Sequence, residues 1–411
     1  MKDYTLKYGK GSVTFALDEA HVTELYGTPV PKIDDIRAAL YATLSSPVSH
    51  EPLESWVNPE DKVALIVSDM SRFWMRQDLV VPHIISYLTD KCDVNQNNIT
   101  IIIANGTHPG GDENELRTLV TDGVYDRIRV VNHDCQAKDL VYIGTTSLGT
   151  EVRINPIAAN ADKAGYGGGR KSILPGISGL ETIRQNHLHS LDLLAPRSNP
   201  LIGNGVTDGN PLNEDMCQAA AMVKNLFGIN LVTNADMQLA HIISGDPMKA
   251  WQLACHRVDE IYRVPIVKKA DVIITSCGGY PKDMSLYQGT KIIDNVESGL
   301  NAGGTLIVLM EAVEGGGPAQ YFDWLKPLKE GRLYEELKAG FTIPGYIFFM
   351  NCEQAEKYRI MLLTTADPSS LAPMGIEAYT DMAALLAAAD IADKDILLIP
   401  NGSTVVPYPK A

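Results

Sequence analysis

The stretch Val63-Ala64-Leu65-Ile66-Val67-Ser68-Asp69 decides the fold, because an unbroken apolar run stops abruptly on a hydroxyl and a carboxylate. A strand wetted on one face alternates apolar and polar residues, so a continuous run predicts a strand covered on both faces. The same design recurs along the chain. Ile99–Ile103 ends at Ala104-Asn105-Gly106-Thr107-His108, and Ile128–Val131 ends at Asn132-His133. Val272–Ile274 runs into Thr275-Ser276, Leu306–Leu309 into Met310-Glu311, Ile360–Leu363 into Thr364-Thr365 and Ile396–Ile399 into Pro400-Asn401-Gly402. Helix-length segments separate these runs, which predicts an α/β fold with mainly parallel sheets. In such sheets ligands bind beyond the carboxyl ends of the strands, and the polar clusters fall there.

Working outward, Ala219–Phe227 and Pro247–Val264 read as helices, and a new series of strands begins after Val264-Pro265. A chain of 411 residues is long for one core. The expectation is therefore two Rossmann-like domains, 1–264 and 265–411, with the active site in the cleft between them and a last strand that can return to the first domain. No apolar run reaches the length of a membrane span, and the alternating start MKDYTLKYGKGSVTF does not read as a signal peptide. The six cysteines form no CxxC pair and suit reduced thiols in a cytoplasm. A formal charge of −15 argues against nucleic-acid or anionic-membrane partners. A local cluster of Lys and Arg could still attract an anionic substrate.

The densest signal is Ala164-Gly165-Tyr166-Gly167-Gly168-Gly169-Arg170-Lys171-Ser172-Ile173-Leu174-Pro175-Gly176. Glycines at this density let backbone approach a bulky ligand, and the following Arg-Lys-Ser could help cradle a phosphate. The spacing is not that of a P-loop, and no clear strand precedes it as a dinucleotide fingerprint requires. The same composition also suits a flexible surface loop. Downstream, Glu181–His189 reads as a helix in which His187 and His189 point in different directions.

Two clusters follow strands in the first domain. In Ser68-Asp69-Met70-Ser71-Arg72, Arg72 could bind a carboxylate while Asp69 orients a neighbour. In Asn105-Gly106-Thr107-His108-Pro109, His108 offers a proton acceptor at neutral pH, although a strand-end His beside Pro can equally be a turn residue. Phe73, Trp74 and Met75 suggest an apolar wall beside Arg72. In the second domain, Tyr287, Gln288 and Lys291 lie in a segment where Gln288 and Lys291 share a face if it is helical.

Taken in order, SDxxR, NGTHP, GYGGGRKxxxPG with a later His, and LYQxxK resemble the nickel-dependent lactate racemase family of 2-hydroxyacid racemases and epimerases. The resemblance covers nearly the whole chain. It implies a nickel-pincer nucleotide, pyridinium-3,5-bisthiocarboxylic acid mononucleotide, joined to Lys171, with Gly168 and Gly169 beside it and His187 as the protein's nickel ligand. It also implies His108 as an acid/base, Asp69 and Arg72 next to it, Tyr287 and Gln288 at the cofactor, and Arg72 and Lys291 as partners of the substrate carboxylate. The implied reaction inverts C2 of a small 2-hydroxy acid through hydride transfer to the cofactor. Proteins that make the cofactor would be further partners.

The pattern breaks at one place. The family carries a second acid/base histidine ten residues before the tethering lysine, where this chain has Ala161. Asn155–Lys163 passes straight into Ala164-Gly165-Tyr166, as though about a dozen residues including a strand were missing. Losing a strand would leave its neighbours' backbone groups unpaired, so an omitted segment is the expectation. The alternatives are one base assisted by water or Lys163, or a nickel-pincer binding protein that does not racemise. A 2-hydroxyacid dehydrogenase with free nicotinamide is the remaining reading.

Overall fold

A computed structural model describes residues 1–318 and 320–410. It divides into an N-terminal unit, Pro29–His189 with Thr207–Glu260, and a C-terminal unit that takes Met1–Thr28, Ser190–Val206 and the chain from Ile261 onward. The expected boundary at 264 lies close to the crossover at Glu260, but the division is not linear. Val22–Glu24 is an edge strand of the C-terminal sheet, paired in parallel with Ile396–Leu398. The hairpin Lys2–Tyr8 and Gly11–Leu17 lays Tyr4, Leu6, Phe15 and Leu17 into that unit's core. The last strands also stay there: Ile396–Ile399 pairs with Ala270–Ser276, and Val406–Pro409 with Arg263–Ile266. The start of the chain crosses over, and its end does not return.

The N-terminal sheet has the order Leu239–Gly245, Leu226–Thr233, Lys163–Tyr166, Val63–Ser68, Ile99–Ala104, Arg129–Asn132. All neighbours are parallel except the antiparallel edge strand Leu239–Gly245. All six residues of Val63–Ser68 are buried, as the unbroken run predicts. Each fully buried Val, Leu or Ile side chain contributes roughly 1.5–3 kcal/mol. The C-terminal sheet is wholly parallel, ordered Ile376–Tyr379, Arg359–Leu363, Leu300–Leu309, Ala270–Ser276, Ile396–Ile399, Val22–Glu24.

Two expectations are corrected. The strand thought missing is present: Lys163–Tyr166 occupies the sheet's centre, with Lys163 opposite Val63 and Ala164 opposite Leu226. The neighbouring strands are therefore paired, and backbone satisfaction no longer argues for an omitted segment. It follows that the glycine loop does leave directly from a strand. Second, the helix expected over Ala219–Phe227 is Pro211–Ala221, and Leu226 already begins a strand. Asn225, at φ 51°, makes the left-handed turn between them.

Candidate active site

At the carboxyl end of Val63–Ser68 the chain is gripped before it turns. Ser68 N donates to Gln77 Oε1 at 3.2 Å, and Gln77 Nε2 donates to Ser68 O at 2.6 Å. Asp69 follows and leads the 3-10 turn Met70–Met75 that carries Arg72. Its Oδ1 accepts from Ser71 Oγ at 2.7 Å, and its Oδ2 lies 2.6 Å from His108 Nδ1. Burial opposes the charge on Asp69, but the hydrogen bonds from His108 and Ser71 and the charge of Arg72 outweigh it, holding the carboxyl below its ordinary range. An ionised Asp69 accepts from Nδ1–H, which leaves His108 Nε2 as the atom able to take or give a proton.

The His108 loop is laced to the glycine loop. Gly106, at φ 56°, donates its N–H to Gly176 O at 2.9 Å, and Gly176 N donates to Lys171 O at 2.9 Å. Gly169, at φ 66°, lies so close to Trp251 that an added Cβ would sit 2.5 Å from Cδ1 of the ring. The Arg170 guanidinium stacks on the other part of this contact, 4.2 Å from the Trp251 ring centroid. Phosphate cradling by Arg170 was one expectation for this loop; the structure has its side chain spread on the indole.

His187 is aimed by the far side of its helix, Leu180–Leu188. Thr182 Oγ1 donates to Glu151 O at 2.6 Å, Gln185 Oε1 accepts from Glu151 N at 2.8 Å, and Asn186 Nδ2 donates to Asp215 Oδ2 at 2.8 Å. At 3.6 residues per turn these three share one face, while His187 points about 140° away from Thr182. Asp215 is itself fully buried and also accepts from Thr146 and Thr150. His187 Nδ1 lies 3.0 Å from Ile183 O. That carbonyl accepts a hydrogen bond from Nδ1–H, so Nε2 keeps its lone pair, the arrangement a metal-binding imidazole needs.

The Lys171 side chain is exposed to solvent, yet protein atoms crowd its amine. Burial, then the charges of Arg72 and Arg170, lower its pKa to about 8. Burial and the Lys171 charge likewise lower His187 to about 4. Lys171, Arg72 and Arg170 thus form a local cationic group beside a neutral His187, inside an acidic protein. Such a group suits an anionic ligand.

In the C-terminal unit, Gln288 lies in the short helix Leu286–Gly289 and Lys291 opens the helix Lys291–Val296. Lys291 Nζ donates to Gln288 Oε1 at 2.9 Å and lies 4.1 Å from the centroid of the buried Tyr287 ring. The expected shared face is present. The structure also separates residues that were considered together. Lys163 begins its strand, at the amino edge of the sheet, with Nζ 4.2 Å over the Trp56 ring. That is the opposite end of the strand from the glycine loop. Ala161 lies just before Lys163, at that same edge. Phe73 packs on the hydrophobic core and Trp74 is exposed, so the expected apolar wall reduces to Met75, 4.0 Å from a Cβ placed on Gly168.

Sequence reasoning missed Gln77, Ser71, Asn186, Asp215 and Trp251. Only Ser71 carried a signal, as a hydroxyl two residues from the aspartate it contacts. Among the described residues, no group of three His, Cys, Asp or Glu could hold a metal ion, all six cysteines are free, and no helix is long and apolar enough to cross a membrane.

Comparison with known proteins identifies the family. A lactate racemase from Thermoanaerobacterium thermosaccharolyticum is 28% identical over 351 residues, covering 80% of this chain and 79% of the relative. One from Lactiplantibacillus plantarum is 27% identical over 334 residues, covering 77% and 76%. The lactate racemase apoprotein structure from T. thermosaccharolyticum superposes with a TM-score of 0.88 at 24% identity, over 99% of this chain and 100% of that one. A Thermotoga maritima protein shares the fold at a TM-score of 0.65, 14% identity and coverage of 91% and 97%. The lactate racemase N-terminal domain model matches residues 8–197 and the C-terminal domain model residues 266–407. With both domains matched in order along most of its length, the chain belongs to the lactate racemase family of isomerases.

Proposed function

We propose that this protein inverts C2 of a small 2-hydroxy acid, lactate first among them, using a nickel-pincer nucleotide joined to Lys171 and ligated by His187. The observation that carries the reading is the pairing of a Lys171 amine lowered to about 8 with a neutral His187 whose Nε2 is uncommitted. An amine near its pKa at neutral pH can serve as the nucleophile that forms an amide-type link, and a neutral imidazole is a good nickel donor. Gly168, at φ 93°, puts no side chain into the loop, and nothing stands closer than 3.5 Å to where its Cβ would be. The residues fit the group. When bound, it supplies the hydride acceptor and donor that no side chain of the protein can offer.

The remaining work falls to the chain. Arg72 pairs with the substrate carboxylate and places the 2-hydroxyl for His108. His108 Nε2 takes the hydroxyl proton as the C2–H bond is broken, and Asp69 stabilises the resulting imidazolium. With no second imidazole assigned to the site, His108 returns the same proton after the 2-keto acid has turned over. Lys291 and Gln288 are assigned to substrate and cofactor, with Tyr287 as the ring under the Lys291 ammonium.

The test has two parts. Peptide mass spectrometry of protein made with the cofactor pathway reads an added nucleotide on Lys171, and polarimetry reads inversion of lactate, 2-hydroxybutyrate, malate and sugar acids. Loaded protein that inverts none of them sinks the racemase reading and leaves the second one, a nickel-pincer protein without inversion, which Ala161 favours. A nicotinamide dehydrogenase gains nothing from the structure, since the glycine loop enters a 3-10 turn, Gly169–Ser172, instead of a long helix.

A further inference from the structure

The helix that carries Lys291 has a second polar stripe. Thr290, Asp294 and Glu297 follow at spacings of four and three, so they stack on one side. The helix Ile343–Lys357 lies alongside. Asn351 Nδ2 donates to Thr290 Oγ1 at 2.9 Å and to Tyr321 OH at 2.8 Å. One turn later, the Gln354 amide stands beside the Glu297 carboxyl.

The seam between these helices is lined by acceptors that lack donors. Glu297 Oε2, Gln354 Oε1 and Asn351 Oδ1 are buried and have no hydrogen-bond partner. Gln354 is only 3% exposed, so its oxygen cannot turn to bulk water. Buried acceptors are rarely left bare, and here Gln354 stands next to the Glu297 carboxyl, which in turn feels the charge of Asp294. Lys357 is exposed, and neither Asp294 nor Glu297 forms an ion pair with it or with Lys269 among the described residues. Burial, then Asp294, push the Glu297 carboxyl up to about 7, and burial raises Asp294. The cationic and phenolic groups that also face this pair are Lys357, Lys269, Tyr346 and Tyr358. What the seam lacks is positive charge within bonding reach.

We propose that Asp294, Glu297 and the Gln354 amide oxygen bind a hard divalent cation of the calcium or magnesium class. Two carboxylates balance the charge of such an ion, and a donor set made only of oxygen excludes the softer metals that want imidazole or thiolate. An ion here would tie the helix of Lys291 to the helix Ile343–Lys357. The site is independent of the racemase reading.

The experiment uses full-length protein stripped with chelator. Calcium chloride or magnesium chloride is titrated in by calorimetry and thermal unfolding, against sodium chloride at matched ionic strength. The expected result is one ion per chain and a rise of about 2–4 °C in the unfolding midpoint. Glu297→Gln, which keeps the shape and removes the charge, abolishes the uptake, and Gln354→Leu weakens it at least tenfold. Should either variant be less stable, the calorimetric stoichiometry still reads the site. No uptake by the wild type up to about 10 mM of either ion, or equal uptake by Glu297→Gln, overturns the proposal. Because lactate inversion is not read, neither outcome touches the catalytic assignment.

Discussion

The two edges of the N-terminal sheet are built from the same strands and do opposite things. At the carboxyl edge, Asp69, His108 and the glycine loop gather cations, depressed pKa values and positive-φ backbone. At the amino edge, the polar groups act as adhesive. Lys163 lies on Trp56, Trp56 and His50 pack on Phe227, and Asp162 Oδ2 accepts from Lys62 N at 2.8 Å. A lysine at one edge has its amine lowered to about 8, and a lysine at the other lies over an indole ring. The difference teaches that position along a strand, more than residue type, separates chemistry from stability in this unit.

The strongest way to break the comparison is Lys171→Met. We expect inversion to fall to background and the nucleotide mass to vanish from the peptide. Cofactor-free Lys171→Met should also be at least as stable as the wild type at pH 7. The folded amine titrates at about 8 and the unfolded one near its ordinary value of 10.5, so the fold binds fewer protons between those values. Wild-type stability therefore rises with pH across that window, and the variant's rises less. Lys282, also lowered to about 8, keeps part of the slope. A variant that melts well below the wild type would mean Lys171 is a structural residue. Next in size is His108→Ala, with an expected loss of about 10²–10⁴ in kcat and partial recovery on adding imidazole. Activity within tenfold of wild type would remove His108 from proton transfer.

How much of this was legible follows from the same contrast. Long apolar strands announced themselves, and so did the residues at their carboxyl ends, because burial on both faces leaves few alternatives for a run such as Val63–Val67. Lys163–Tyr166 did not, because its Ala164 and Gly165 carry almost no apolar signal; the sheet supplies the pairing on both sides. The Leu226 strand hid behind an Ala-rich helix whose stop, Asn225, adopts positive φ. Asp215 was silent for another reason. Its role is fixed by contacts with Thr146, Thr150 and Asn186, residues up to 69 positions away. The pairing of Val22–Glu24 with Ile396–Leu398 is longer in range still.

Gly169→Ala sharpens the carboxyl-edge half of the comparison with a smaller effect. Its Cβ would meet Trp251 from a left-handed backbone, so the ring, and with it the Arg170 stack, must move. We expect a loss of about 1–3 kcal/mol in denaturant unfolding, together with slower attachment of the nucleotide. Unchanged stability and loading would mean the loop repacks freely.

The smallest effect belongs to Lys163→Met, and it tests the idea most sharply. If the amino edge is only adhesive, removing the ammonium while keeping an apolar stem forfeits the contact with Trp56, about 0.5–1 kcal/mol. Inversion by the loaded enzyme should stay within about twofold, with an unaltered pH profile, since a proton donor at this edge would face the wrong end of the strand. A collapse in kcat, or loss of one limb of the pH profile with normal stability, would make Lys163 the second base after all. It would also require the strand Lys163–Tyr166 to sit differently in the working enzyme.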